Sequence, residues 1–286
     1  MGRKPTMIKN FQNTPLIFGI FYSLKTFMKF FLMGIALFAC APESSQVRSA
    51  SGLGARSAHA FTVAAPDTAA QDHLLTGVAG ADADHHPQAA AAGRAALDGL
   101  IAGAALELSP AGEPDRYGRV PVRAHTAQVG DLAAALVETG WAMVWPRAGQ
   151  VADFNALYEA EAAARARGAG AWGEGVFQIL DPDPDRLAQR LDGPVIVQGR
   201  IISTGEGRNG RLYLNFGLNW RSDFTLSAVR DVREAFTEAD VELAGLDGAV
   251  VRARGWLYAE NGPMIALSHP AQLEIIDAPQ ATAPPR

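Results

Sequence analysis

Cysteine is all but missing: Cys40 is the single one in 286 residues, so no intramolecular disulfide can form. Lysine stops early, with Lys4, Lys9, Lys25 and Lys29 all preceding Cys40, as does Arg3. After that point 20 basic residues face all 30 acidic ones, leaving residues 41–286 near −10. Such a chain lacks the cation excess behind tight, sequence-independent binding of nucleic acid, where phosphate neutralisation supplies most of the affinity. No serine or cysteine stands in a recognisable nucleophile setting, and no glycine-rich phosphate cradle occurs. Long apolar runs are absent too. The run F-F-L-M-G-I-A-L-F that begins at Phe30 is too short for a bilayer-spanning helix.

What that run does have is the company of an export signal: Lys25 and Lys29 before it and small residues after it. Residues 1–41 are therefore expected to be a leader. Met28 opens a complete signal by itself, so Met1 and Met28 both stand as starts. The tetrad Leu37-Phe38-Ala39-Cys40 resembles a bacterial lipobox, which implies lipidation of Cys40 and attachment to the membrane. Ala39-Cys40-Ala41 also suits ordinary cleavage, which would yield a soluble periplasmic or secreted form. With a lipid on Cys40, Ala41 favours the outer membrane, facing the periplasm. Residues 42–58, rich in serine, glycine and alanine without periodicity, are expected to be a flexible tether.

The firmest patterning lies between residues 113 and 172. Asp131 is a good N-cap and Gly140 a good stop for the helix L-A-A-A-L-V-E-T between them. A strand follows, then a longer helix with Phe154, Leu157, Tyr158 and Ala162 at helical spacing, closed by Gly168 and Gly170. Upstream, residues 60–63 and 74–78 read as strands, Pro87 opens an alanine-rich helix to about Ile101, and residues 105–108 alternate as a strand.

The turn Asp115-Arg116-Tyr117-Gly118-Arg119, the series Ala135-Leu136-Val137 with Gly140-Trp141-Ala142, and Leu157, Glu161, Ala162, Ala164 and Trp172 together resemble the C-terminal half of the staphylococcal nuclease (thermonuclease) family. The resemblance implies a barrel with three helices over residues 59–175, calcium held by carboxylates, and arginines that neutralise the phosphate undergoing hydrolysis. On it, Arg119 is a phosphate-binding arginine, Asp67 a metal ligand and Asp82 the catalytic carboxylate. The same alignment puts Leu74 where an arginine belongs and Ala79 where a metal-binding aspartate belongs. Losing two electrostatic contributors, each worth about 10²–10³ in rate, implies a degenerate site. Plainer roles stand beside these: Arg119 in a salt bridge, Asp67 in a turn, and Asp82 with His85 and His86 capping the Pro87 helix rather than holding a metal.

Asp181-Pro182-Asp183-Pro184-Asp185 argues for an unpacked linker over 176–192. Residues 193–277 then read as a second barrel, with strands near 195–202, 211–216, 223–226, 250–258 and 264–267, and a short helix near 232–236 before the fourth. Asn261-Gly262 marks a tight hairpin. This order matches a five-stranded OB-type barrel and resembles OB domains appended to nuclease-like envelope proteins. Residues 278–286 are expected to be a disordered tail. An exposed set of Arg211, Tyr213, Trp220, Arg221, Arg252 and Arg254 would suit a nucleic-acid-binding groove, though those arginines equally suit pairing with Glu206, Asp223 or Glu260.

The expectation is thus an α+β, mainly β chain: an exported, lipid-anchored envelope protein whose thermonuclease-like barrel is inactive and serves as a binding or scaffold module for an unidentified envelope partner. It needs no cofactor. The alternative is a calcium-dependent nuclease acting on DNA or RNA.

Overall fold

The structure, a computed structural model, describes residues 48–65 and 68–279. The leader, Cys40, Asp67 and most of the C-terminal tail lie outside the described residues. The first half contains β1 (Arg48–Ala55), β2 (Ala60–Ala65), β3 (Thr68–Leu75), β4 (Val78–Gly80), α1 (Pro87–Ile101), β5 (Ala105–Pro110), β6 (Val120–Thr126), β7 (Gly130–Asp131), α2 (Leu132–Glu138), β8 (Ala142–Val144) and α3 (Phe154–Ala166). The second contains β9 (Ile179–Leu180), α4 (Pro184–Ala188), β10 (Gly193–Arg200), β11 (Ser203–Glu206), β12 (Leu212–Asn215), β13 (Thr225–Ala228), α5 (Arg230–Glu238), β14 (Val250–Ala259), β15 (Pro263–Ala266) and β16 (Leu273–Asp277). The described fold is mixed α and β, mainly strands with five helices.

In the first half β1 pairs antiparallel with both β2 and β5, β2 with β3 and β5 with β6, while β3 runs parallel to β6. That circuit closes a five-stranded barrel, with α1 between its third and fourth strands, and is compatible with an OB-type barrel. The tether reading of residues 42–58 is corrected here, because Arg48–Ala55 is a barrel strand. Its sequence, R-S-A-S-G-L-G-A, has hardly a branched side chain to announce it. Its order comes instead from backbone ladders on both edges.

The helices follow local chemistry more closely. Ala89, Gly93, Leu97 and Ile101 recur every fourth residue and form the buried stripe of α1. Asp131 caps α2, its carboxylate accepting the Ala134 N–H at 2.9 Å. Gly140 ends that helix at φ 79°, and a β-carbon there would fall 2.1 Å from the Ala169 carbonyl oxygen. Only glycine therefore lets the end of α2 meet the end of α3. Leu157, Glu161 and Ala164 make the buried face of α3.

In the second half β10 and β11 are two lengths of one strand bent at Ile201 and Ile202. The amide of Ile201 donates to Ala249 on one side and that of Ile202 to Asn215 on the other. Since β10 pairs with β14 and β11 with β12, the path β12-β13-β15-β14 starts and finishes on that bent strand, with α5 between β13 and β14. Alternation along β12 behaves as expected, with Leu212, Leu214 and Phe216 buried in the core. The linker reading of residues 176–192 is corrected: Phe177 is buried, β9 pairs with β10, and Leu187 of α4 is wholly buried. Asp183 caps α4 with Pro184 at its first position, so the Asp-Pro series starts a helix rather than keeping the chain apart.

Met143, Ala171, Phe177 and Ile196 form an apolar cluster joining the two halves. Beside it lies Arg254 of β14, with no solvent exposure. Its guanidinium donates to both oxygens of Glu161 at 2.9 and 3.1 Å, to Glu274 at 2.6 Å and to the Val144 carbonyl at 2.9 Å. The ring of Tyr158 lies 4.7 Å beneath it. Burial opposes the Arg254 charge, but Glu161 leads the partners that raise its pKa on balance. Arg254→Met is expected to lower unfolding free energy by about 3–5 kcal/mol in urea titration, because it leaves Glu161 charged and buried, and adding Glu161→Gln is expected to recover part of the loss.

Candidate functional site

The turn at 115–119 is built around one carboxylate. Asp115 accepts the backbone N–H groups of Tyr117 and Arg119 at 2.9 and 3.0 Å, and Gly118 takes φ 76° to close the turn. Its other oxygen accepts Arg119 Nε at 2.8 Å and pairs with the terminal guanidinium nitrogen at 2.7 Å. Desolvation works against the Asp115 charge, but these hydrogen bonds outweigh it and hold the carboxyl below its ordinary range. Arg116 and Arg119 flank the exposed ring of Tyr117, 5.0 and 5.2 Å from its centroid.

Asp82 is elsewhere. One of its oxygens accepts the Asp84 N–H at 2.9 Å and the other meets His85 Nδ1 at 2.9 Å, and these bonds pull its pKa below the usual carboxylate value. It shapes the turn before α1 but does not cap the helix. The N-cap is His86, which makes no side-chain capping bond. Asp82 lines a cavity of about 200 Å³ with His85, His86, Met143 and Phe177, and Arg119 is not part of that lining. The two residues assigned to catalysis are therefore not gathered into one cavity.

Of the positions that the resemblance assigns to calcium and phosphate, Asp67 lies outside the described residues. Leu74 and Ala79 are buried aliphatic side chains, and Asp82 is already engaged by a backbone amide and an imidazole. Among the described residues, no group of three or more His, Cys, Asp or Glu is arranged around a common metal position.

Sequence reasoning missed two neighbours of Arg119. His59, in the turn between β1 and β2, accepts the Gly80 N–H at its Nδ1, 3.3 Å away. Burial, then the charges of Arg147 and Arg119, hold its pKa down at about 4. Burial and the Arg119 charge likewise lower the pKa of Arg147, against the pull of Asp115. Among the described residues Arg147 has neither ion pair nor side-chain hydrogen bond. Two guanidiniums thus share essentially one carboxylate, leaving a locally positive spot beside a neutral imidazole. No spacing announces it, since its members come from three separate segments.

The groove residues proposed on the second barrel divide. Arg254 is fully buried, and Arg252 is partly buried and held by Gln198 at 2.7 Å and Glu274 at 3.4 Å. Arg211 is paired with Glu260 at 3.1 Å. Tyr213 and Trp220 do border a common concavity, and Arg221 stacks on Trp220 at 4.2 Å. Compared with models of known protein families and with curated proteins, the chain matches neither.

The depressed pKa of His59 has a stability consequence. An unfolded histidine takes up a proton near pH 6.5 and the folded one only near 4, so this contribution is full above 6.5 and is lost as pH falls toward 4. The loss expected across that window is roughly 2 kcal/mol once the ring's partial exposure is allowed for. His59→Asn, measured by urea unfolding at successive pH values, is expected to flatten that part of the profile.

Proposed function

We propose that this chain is an exported envelope protein, anchored through a lipid on Cys40, in which a thermonuclease-like barrel has lost its chemistry and, with a second OB-type barrel, acts as a binding module. The observation that carries the reading is the fate of the phosphate-cutting positions. Arg119 is tied within its own turn to Asp115, while Leu74 and Ala79 are aliphatic where cleavage needs a cation and a metal-binding carboxylate. Arginine clamps and metal-binding carboxylates contribute heavily to electrostatic stabilisation in such a reaction, so aliphatic side chains at two of these positions support an inactive site.

The buried pairing of Arg254 with Glu161 supports the module reading from the other side. It joins the two halves at a place where Glu161, one of the residues that carries the nuclease resemblance, is wholly occupied with packing.

A competing reading, a metal-dependent phosphodiesterase using Arg119, Asp67 and Asp82, draws on one observation: the charge of Arg119 helps to lower the pKa of Arg147, so two cationic side chains influence one another there. Incubation of the full chain with single-stranded DNA, with and without calcium, separates the two. No cleavage above buffer is expected under either condition, and calcium-dependent cleavage abolished by Arg119→Ala would establish the phosphodiesterase instead. The anchor has its own test. Metabolic labelling with a radioactive fatty acid is expected to mark the wild-type chain and not Cys40→Ser, and an unlabelled wild-type chain would make it a soluble exported protein.

A further inference from the structure

Leu218 is 93 % exposed, more than any other large apolar side chain among the described residues, and Trp220, two positions on in the same loop, is 50 % exposed. Single exposed apolar residues are normal, and Leu53, Val129 and Val151 are of that kind. Ile275 and Ile276 are adjacent, but they point to opposite faces of an edge strand and stand between Glu274 and Asp277. The loop at 217–223 alone puts an aliphatic side chain, an indole and a cation on one tip.

That tip is held in place. Asp223 accepts the Asn219 N–H at 2.7 Å, the Asn219 side chain accepts the Arg221 N–H at 3.3 Å, and the amides of Ser222 and Asp223 both donate to the Asn219 carbonyl at 2.9 Å. Gly262, at φ 97°, lies so close behind that a β-carbon there would fall 2.6 Å from the Ser222 carbonyl. Leu218 and Trp220 are thus displayed by a loop already ordered before anything touches it, which lowers the entropy lost on contact.

Charge at the tip is of one sign. The guanidinium of Arg221 stacks 4.2 Å from the Trp220 ring and has neither ion pair nor side-chain hydrogen bond among the described residues. Nearby carboxylates are already answered: Asp223 inside the loop, Glu206 by Arg233 at 2.9 Å and Glu260 by Arg211 at 3.1 Å. An indole with a cation on its face and an aliphatic neighbour matches the boundary of an anionic bilayer, where rings sit at headgroup level and cations meet phosphates.

The correction to β1 brings the membrane close. Arg48 already belongs to a barrel strand, so only residues 41–47 separate it from Cys40. Fully extended, that stretch reaches at most about 29 Å, whereas a compact body of this length is about 45 Å across. A chain lipidated at Cys40 therefore cannot stand clear of the bilayer, and part of its surface has to lie against it.

We propose that the 217–223 tip is a membrane-contact point, with Leu218 and the Trp220 ring entering the headgroup–acyl boundary of an anionic bilayer while Arg221 stays among the phosphates. The inference rests on reading the chain as an envelope protein lipidated at Cys40, and it names the surface turned to the membrane. The acidity of residues 41–286 opposes long-range attraction to such a bilayer, so the anchor supplies the encounter and the tip the local contact.

The test is tryptophan quenching in the full chain, reconstituted from detergent into vesicles of phosphatidylethanolamine and phosphatidylglycerol whose acyl chains are brominated near the headgroup. Trp220 is one of five tryptophans, so about a fifth of the emission is expected to be quenched in a way that Trp220→Phe removes. Leu218→Ser and Arg221→Ala are each expected to reduce that share, as is replacing phosphatidylglycerol by phosphatidylcholine. All three side chains are exposed, and an unchanged thermal midpoint will show that the variants fold.

Quenching that Trp220→Phe leaves unaltered would overturn the proposal, and so would a Trp220 share indifferent to both Leu218→Ser and lipid charge. Self-association in detergent that Leu218→Ser abolishes would assign the tip to a second copy of the chain and overturn it as well. Fatty-acid labelling reports separately on the anchor: a labelled chain with Trp220 unquenched sinks this contact alone, and an unlabelled chain with Trp220 quenched keeps the contact and removes the anchor.

Discussion

An arginine without solvent contact has to be answered by charge, and the architecture of this chain turns on where the answer comes from. Arg254 belongs to β14 of the second barrel, and Glu161, its bidentate partner, to α3 of the first. Neither group has water to fall back on, so each barrel supplies the counter-ion that the other's buried charge requires. Glu274 and the Val144 carbonyl take up further guanidinium donors, while the backbone amide of Val144 donates to Glu161 at 2.7 Å. The apolar cluster around Met143, Phe177 and Ile196 lies against this network and gives the contact its area. A pair of this kind is a weak source of net stability compared with an apolar replacement, but it is demanding about geometry.

That demand bears on how the nuclease resemblance should be read. Residues that carry it fall into two groups with different fates. Gly140, Leu157, Glu161 and Ala164 close or pack helices, and all are occupied in those tasks. Positions that would touch a phosphate or a metal are aliphatic or tied up locally, Leu74, Ala79 and Arg119 among them. On the second barrel the order reverses: Trp220 and Arg221 have little packing to do and are presented on a braced loop.

Much of the fold was legible because local rules governed it. The α2 helix lies between a capping aspartate and a glycine that no other residue can replace, and β12 alternates cleanly between core and surface. Legibility failed where the deciding contact was remote. Strand β1 is held by ladders on both edges, so its small side chains gave no period to detect. The Asp-Pro series looked like a spacer because Leu187, which anchors its helix, finds its apolar partners in the second barrel. Along β14 Val251 and Ala253 enter the barrel core, while Arg252, Arg254 and Trp256 take the opposite face. What no period could convey is that α3, far away in sequence, covers the middle of that face. His59 and Arg147 escaped for the same reason, being brought to Arg119 by the closure of a barrel rather than by spacing along the chain.

Glu161 and Arg254 are 93 residues apart, and the order of that separation matters during synthesis. At the usual pace of about 5–20 residues per second, the ribosome needs roughly 5–20 seconds to deliver the arginine after the glutamate. Throughout that interval the Val144 amide and Arg165 are the only partners of the Glu161 carboxylate that have been made. A chain that stops anywhere between the two residues is left with that glutamate and without the guanidinium that answers it.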